Sequence, residues 1–310
     1  MKNLAKKILK FFPSSFVHFA TRFYRRTRIS ILSLVTRIKI LLSLPLKPKL
    51  SQIRFEVHLA EHCNLNCYAC NNFSSIAKPE LVDPEEFKRD FERMGEIFAN
   101  KCERIYLLGG EPLLHTEINT LMEIARKNFP EGDISVFTNG LLLMKMADSF
   151  WQTCRDNNIG IIISAYPIKL DIEGIKSIAA KFGVKLNYAW GDSSAMHDMF
   201  DITPLNLKGD SNIKLNFGIC KRAVNCITLS HGKLFTCSFI PHVHHFNEFF
   251  GEHVEVCPQD YVNIYDDVSA EEVLARMSEP IPACRYCQLD NKSAKIVRWG
   301  ISKRERSEWA

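Results

Sequence analysis

The chain has 310 residues, 46% hydrophobic and 24% charged, which excludes disorder and collagen-like repeats and leaves room for one large catalytic domain with a smaller module. Twelve of the 40 basic residues and none of the 35 acidic ones fall in residues 1–50, so the net charge of +5 divides into a basic arm and a body with 28 basic against 35 acidic residues, a balance of −7. An arm of that kind suits an anionic partner, a membrane surface or a nucleic acid. Eleven cysteines in a chain too long for a small disulfide scaffold, with no secretory signal, point to thiols that serve as metal ligands in a cytoplasmic protein.

In chain order, the arm (residues 1–50) has helical period. Phe16, Phe19, Ala20 and Phe23 share one face, as do Ile31, Leu34, Val35, Ile38, Leu41 and Leu42, while Arg22, Arg25, Arg26, Arg37 and Lys39 interrupt the apolar runs. No run of 18 uncharged residues occurs there, so the pattern predicts an interfacial helix or one packed on the body, not a spanning helix. Pro45 and Pro48 end the arm. From residue 53 strands and helices alternate: strands at 53–60, 104–108, 133–137, 159–164 and 184–190, and helices starting at Asp83 and over 116–129, 143–154 and 171–182. Asp83, Pro84 and Glu86 form the first helix start. This is the pattern of a parallel α/β fold. After about residue 205 the pattern changes to a hairpin turning at His231 and Gly232, with one helix capped by Ser269 and Glu272. The boundaries read are therefore an arm over 1–50, a core over 51–205, a smaller module over 206–295 and a basic tail over 296–310.

The chemistry concentrates in loops. Cys63, Cys67 and Cys70 form a CxxxCxxC array just after the first strand, enough to hold three irons of a cubane and leave one open, a ferredoxin-like cluster completed by a distant fourth cysteine, or a zinc ion completed by His62 or a distant ligand. Gly109, Gly110, Glu111 and Pro112 follow the second strand, and Thr138, Asn139 and Gly140 follow the third. In parallel α/β folds the ligand site lies at these strand ends.

Over roughly residues 53–200 the chain resembles the radical S-adenosylmethionine superfamily, on the CxxxCxxC loop and the GGEP segment. The resemblance implies a partial (β/α)6 barrel in which Cys63, Cys67 and Cys70 ligate a 4Fe-4S cluster whose open iron takes S-adenosyl-L-methionine. It implies that Gly109, Gly110 and Glu111 hold the methionine amine, with Thr138 and Asn139 beside them and Ser164 where the family often contacts the ribose. The family often has an aromatic residue before the third cysteine; here Ala69 stands there and Tyr68 one place earlier.

Cys220, Gly232, Cys237, Cys284 and Cys287 form a second array, Cx11Gx4C followed by CxxC, which could hold a second cluster or a structural zinc; Cys226 competes with Cys220. It resembles the twitch module of some superfamily members, which implies a second 4Fe-4S cluster. His242, His244, His245, His253 and Cys257 read as a solvated loop, and Cys102 and Cys154 as buried small hydrophobes. The expected function is an oxidoreductase that modifies a small molecule, a glycan or a lipid-linked precursor, fed by an electron donor such as a flavodoxin or ferredoxin. A peptide-modifying maturase and a non-catalytic iron-sulfur or zinc protein are the other readings. Nucleic acid is not an expected partner of the enzyme, and the arm leaves an anionic membrane surface as one.

Overall fold

The computed structural model describes residues 53–189, 198–224, 226–289 and 295–310. The arm, and the end of the strand expected over 184–190, lie outside the described residues. The first strand, β1 (Arg54–Ala60), is followed by α1 (Pro84–Ile97), β2 (Arg104–Gly109), α2 (Ile118–Asn128), β3 (Asp133–Thr138), α3 (Asp148–Asp156), β4 (Gly160–Ile163), α4 (Ile172–Phe182) and β5 (Leu186–Tyr188). Local chemistry sets these limits. The Asp83 carboxylate caps α1 by accepting from Glu86 N at 2.8 Å, Pro84 occupies the first turn, and Gly183 ends α4 in the left-handed region.

The later elements are β6 (Met199–Ile202), α5 (Ile213–Ile219), β7 (Ile227–Ser230), β8 (Lys233–Phe235), α6 (Val243–Phe250), β9 (Tyr261–Asn263), α7 (Ala270–Met277) and β10 (Lys295–Arg298). One eight-stranded sheet runs β5-β4-β3-β2-β1-β7-β8-β9, while β6 and β10 form a separate antiparallel ribbon. The six strands from β5 to β7 are parallel, the strand set of a partial (β/α)6 barrel, and β8 and β9 continue antiparallel. The hairpin expected at His231 and Gly232 therefore extends the main sheet. Both turn residues have positive φ, 48° and 68°, as the tight turn between twisted strands requires.

Helices α1 to α4 bury their apolar faces on the sheet, with Phe87, Phe91 and Met94 of α1 packing among Phe55, Phe98 and Phe129. A second cluster gathers Phe73, Phe235, Phe239, Phe246, Tyr286 and Trp309. Two helices depart from the sequence expectation, which had only α7 after residue 205. Helix α5 is a short helix capped by Asn212, and α6 buries Val243 and Phe246 at helical spacing, a face hidden in the sequence by its histidines.

The hairpin is tied to α1 by the buried Asp90 carboxylate, which accepts from Gly232 N at 2.9 Å and Tyr265 Oη at 2.6 Å. A side chain at Gly232 would have φ +68° and press on the Tyr265 ring. Gly232→Ala is expected to lower stability by more than about 1 kcal/mol, read from the urea midpoint, and an unchanged midpoint would contradict that packing.

Candidate active site

Loops at the ends of β1, β2 and β3 meet because their backbones touch. Gly110 N donates to Ala60 O at 2.7 Å and Glu111 N to His62 O at 3.1 Å. A Cβ on Gly109 would collide with the Ala60 carbonyl, and one on Gly110 with that of His62. The two glycines thus press the GGEP segment against the cysteine loop.

Glu111 joins this pair to the third loop. Fully buried, its carboxylate accepts from Thr138 Oγ1 at 2.6 Å, Asn139 N at 2.9 Å and Leu113 N at 3.1 Å. Burial outweighs these bonds and pushes its pKa up to about 7. The resemblance assigns this carboxylate to a cofactor ammonium; in the structure three protein donors bond it. Asn139 continues the connection through its amide, which donates to Asn64 Oδ1 at 2.8 Å and to Cys63 Sγ at 3.6 Å.

Cys63, Cys67 and Cys70 line a cavity of about 720 Å³ together with Gly109, Gly110, Thr138, Asn139 and Ser164. That volume lies in the range of small-molecule sites. Burial, helped by their neighbouring thiols, pushes Cys63 and Cys67 up to about 12 and raises Cys70 as well. Thiols brought this close out of water favour a cation that replaces their protons. Six aromatic residues also line the cavity, Tyr68, Tyr106, Phe137, Tyr166, Phe200 and Trp299, and the rings of Tyr166 and Trp299 stack with centroids 6.1 Å apart. Sequence reasoning passed over Tyr166 and Trp299. Tyr166 lies two residues beyond Ser164 at the end of β4, a position the strand-end rule could have found, whereas nothing local marks Trp299.

The second thiol set also converges. Cys220, Cys237, Cys284 and Cys287 act on one another electrostatically, and burial raises Cys237, Cys284 and Cys287, with Cys284 at about 12. Asn216 of α5 holds the CxxC turn by donating to Cys284 O at 2.8 Å and Cys287 O at 2.7 Å. Asp260 supports it from below, accepting from Ala283 N at 2.7 Å. Cys226 instead lies beside Glu56, which raises its pKa further after burial. Arg222 lines the cavity and also favours the thiolates of Cys237 and Cys287.

The histidine cluster departs from the solvated loop expected of it. His242 and His245 are buried and converge on Glu61, at 2.8 Å from Nδ1 and 2.9 Å from Nε2, and His58 Nδ1 reaches the other oxygen at 3.1 Å. Among the described residues, His58, Glu61 and His242 bring ligand atoms within 4.8 Å of one another. The rings of His58 and His242, however, stack 8° from parallel with centroids 3.6 Å apart, so their in-plane lone pairs run side by side and do not meet at one ion. That geometry suits hydrogen bonds to a carboxylate. Burial still lowers Glu61's partner His242 to about 4, while the imidazoles hold Glu61 far below the usual carboxylate range against its own burial. Cys102 is half-buried, and Cys154 is buried against Met122 with its sulfur 3.7 Å away, as expected of a small hydrophobe.

Fold and site define a parallel α/β protein with a thiol-lined cavity at its strand ends. Residues 57–167 match the family described as the Radical SAM superfamily, and the chain carries a radical SAM domain there. Domains of this superfamily use a 4Fe-4S cluster and S-adenosyl-L-methionine. The chain is 33% identical over 94 residues to the GTP 3',8-cyclase of Desulforamulus reducens, covering 29% of this chain and 28% of that protein. It is 26% identical over 180 residues to that of a Sulfurovum species, covering 52% of each. The chain therefore spans well under two thirds of these relatives. Among solved structures, BtrN in complex with AdoMet and 2-DOIA is similar at 17% identity and a TM-score of 0.46, over 74% of this chain and 83% of that one.

Glu111 allows a test of how the three loops are held. Its folded pKa of about 7 lies above the ordinary 4.5, so the folded state keeps a proton that the unfolded chain releases, and stability falls as pH rises from about 4.5 to about 7. Glu111→Gln carries no such proton and turns an amide N–H toward a backbone N–H. At pH 5 it is expected to be less stable by roughly 1–3 kcal/mol, and the advantage of wild type shrinks toward pH 7. Urea midpoints across that window check both statements; an advantage that grows with pH would contradict the assignment.

Proposed function

We propose that Cys63, Cys67 and Cys70 hold the 4Fe-4S cluster that binds S-adenosyl-L-methionine, and that the enzyme oxidises or otherwise modifies a small polar molecule, a glycan or a lipid-linked precursor. The carrying observation is that these three thiols share one cavity with Gly109, Gly110, Thr138, Asn139 and Ser164 at the carboxyl ends of parallel strands. When bound, the cluster and cofactor supply reductive cleavage to methionine and a 5′-deoxyadenosyl radical that abstracts hydrogen from the substrate.

The chain's own residues do the rest. Gly109 and Gly110 bring backbone polar groups to the methionine end, with Glu111 holding the loop that presents them. Ser164 offers a hydroxyl, and the stacked Tyr166 and Trp299 offer the aromatic face that Ala69 does not. Glu56 and Arg222 place opposite charges on the remaining wall, which suits a substrate carrying several polar groups. The β6–β10 ribbon contributes Met199, Phe200, Asp201 and Ile296 to the same wall and limits access of water.

Cys220, Cys237, Cys284 and Cys287 are proposed to hold a second 4Fe-4S cluster, an acceptor for the electron left on an oxidised substrate. A structural zinc ion on the same four thiols is the alternative, and the iron and sulfide content after reconstitution separates the two. The GTP 3',8-cyclase relatives are matched over too little of their length to assign this chain their substrate.

After anaerobic reconstitution with iron and sulfide, the wild type is expected to release 5′-deoxyadenosine from S-adenosyl-L-methionine with dithionite, and Cys67→Ala to release none. Cys237→Ala should lose part of the iron and keep some cleavage. No cleavage by a fully loaded wild type would overturn the enzyme reading in favour of a non-catalytic metal protein. Among the described residues no helix is long and apolar enough to cross a membrane. For the arm, peripheral attachment predicts that the full chain floats with anionic liposomes and that a chain lacking residues 1–45 does not; equal flotation would remove that proposal.

A further inference from the structure

The cysteine loop is irregular, and the partners of its backbone come from the opposite end of the described chain. Tyr68 N donates to Gly300 O at 2.8 Å, and Ser302 N to Asn66 O at 2.9 Å, with Asn66 Nδ2 returning a bond to Ser302 O at 3.0 Å. Cys67 pairs with Ile301 as an isolated antiparallel bridge. Ala69, held at φ 47°, donates its N–H to the buried Glu308 carboxylate at 3.2 Å, and Trp309 Nε1 donates to Cys70 O at 2.9 Å. Residues 299–309 thus strap every turn of the loop from Asn66 to Cys70. One bond in the strap differs from the others because it reaches sulfur and not backbone. Trp299 Nε1 donates to Cys67 Sγ at 3.2 Å. The indole is fixed on both sides, by stacking on Tyr166 and by Trp299 N donating to Asp198 O at 2.6 Å.

We propose that Trp299 is a positioning residue for the cluster, its indole N–H setting the reduction potential through the Cys67 sulfur while the 299–309 strap fixes the loop around it. This rests on the assignment of Cys63, Cys67 and Cys70 as cluster ligands. The physical reason is charge. Reduction adds an electron to a site already ringed by thiolates in a poorly solvated cavity, and an N–H dipole pointing its positive end at a ligand sulfur stabilises the added charge. Removing the N–H makes reduction harder, and the potential moves negative. Trp309 is the natural comparison, an indole N–H in the same strap that donates to a carbonyl and not to a sulfur.

The test uses the full chain, reconstituted anaerobically, in wild type, Trp299→Phe and Trp309→Phe forms. Each has Cys237→Ala in the background so that the second thiol set contributes less signal. The readouts are iron content and an EPR-monitored redox titration without substrate. Trp299→Phe keeps a ring against Tyr166 and loses the donor. It is expected to retain the iron of its parent and to shift the reduction equilibrium three- to tenfold toward the oxidised form, a tenfold change being about 59 mV for one electron. Trp309→Phe is expected to leave the potential unchanged. An unshifted potential in a loaded Trp299→Phe protein, or equal shifts in both variants, overturns the proposal. Pulsed EPR of the reduced wild type carrying tryptophan labelled with 15N at the indole nitrogen decides it if Trp299→Phe fails to load. A 15N coupling to the cluster supports the indole donor, since the N–H groups of Leu65 and Asn139 at Cys63 Sγ cannot produce it, and its absence overturns the proposal. Failure of the wild type to assemble a cluster at all is a different outcome, which rejects the ligand assignment itself.

Discussion

The site depends on satisfying the backbone of one irregular loop. Residues 61–76 leave β1 and form no strand or helix, so their N–H and C=O groups need partners from elsewhere or a large loss in stability follows. The partners come from three directions. Gly110 and Glu111 bond the loop's start, Phe73 and Ile76 plug its end into the second apolar cluster, and residues 299–309 take the middle. A loop held on three sides can keep three thiols facing one cavity without the thiols bonding each other, which is the condition for receiving a multinuclear cofactor.

Electrostatics reinforces that placement at two carboxylates with opposite behaviour. Glu111 is surrounded by neutral donors, and burial wins, so its pKa rises to about 7. Glu61 is buried as well, but three imidazoles converge on it and the carboxylate stays ionised far below its usual range. The difference is whether the neighbours can carry a proton. Glu61 stands two residues before Cys63, so the charged group that anchors the loop's first turn is held by α6 and by the residue preceding it, a long way from Cys63 in sequence. The helix α6 therefore belongs to the support of the cysteine loop as much as to the second apolar cluster.

The strands and helices up to Phe182 were legible because each is specified locally. The alternation of Phe55, Val57 and Leu59 in β1, the Asp83 cap and the face of Phe87, Phe91 and Met94 all show in runs of a few residues. The cysteines and the glycines of GGEP were legible because their chemistry admits few other uses at that spacing. What escaped reading depends on pairings across the chain. His242 and His245 read as polar because Glu61 lies more than 180 positions away, and Trp299 read as part of a basic tail because its partner, Cys67, is 232 positions distant. Glu111 escaped in a different manner. Its residue type and position were recognised, but sequence could not show that Thr138, Asn139 and Leu113 would bond its carboxylate.

The same long-range pairings explain how a cavity lined by Cys63, Cys67 and Cys70 also comes to be lined by Arg222 and by Ser238, next in sequence to Cys237. The six parallel strands set the cysteine loop and the GGEP and TNG loops side by side, and β7 adds the hairpin that leads into Cys237. Arg222 lies where these parts meet, bonded to Thr203 at 3.1 Å, facing the cavity and acting on Cys237 and Cys287. A fixed guanidinium in that position stabilises negative charge on the second thiol set and on any anionic group of a substrate in the cavity. One fixed cation thus acts both on the cavity and on the second thiol set, so a change at Arg222 is felt at both.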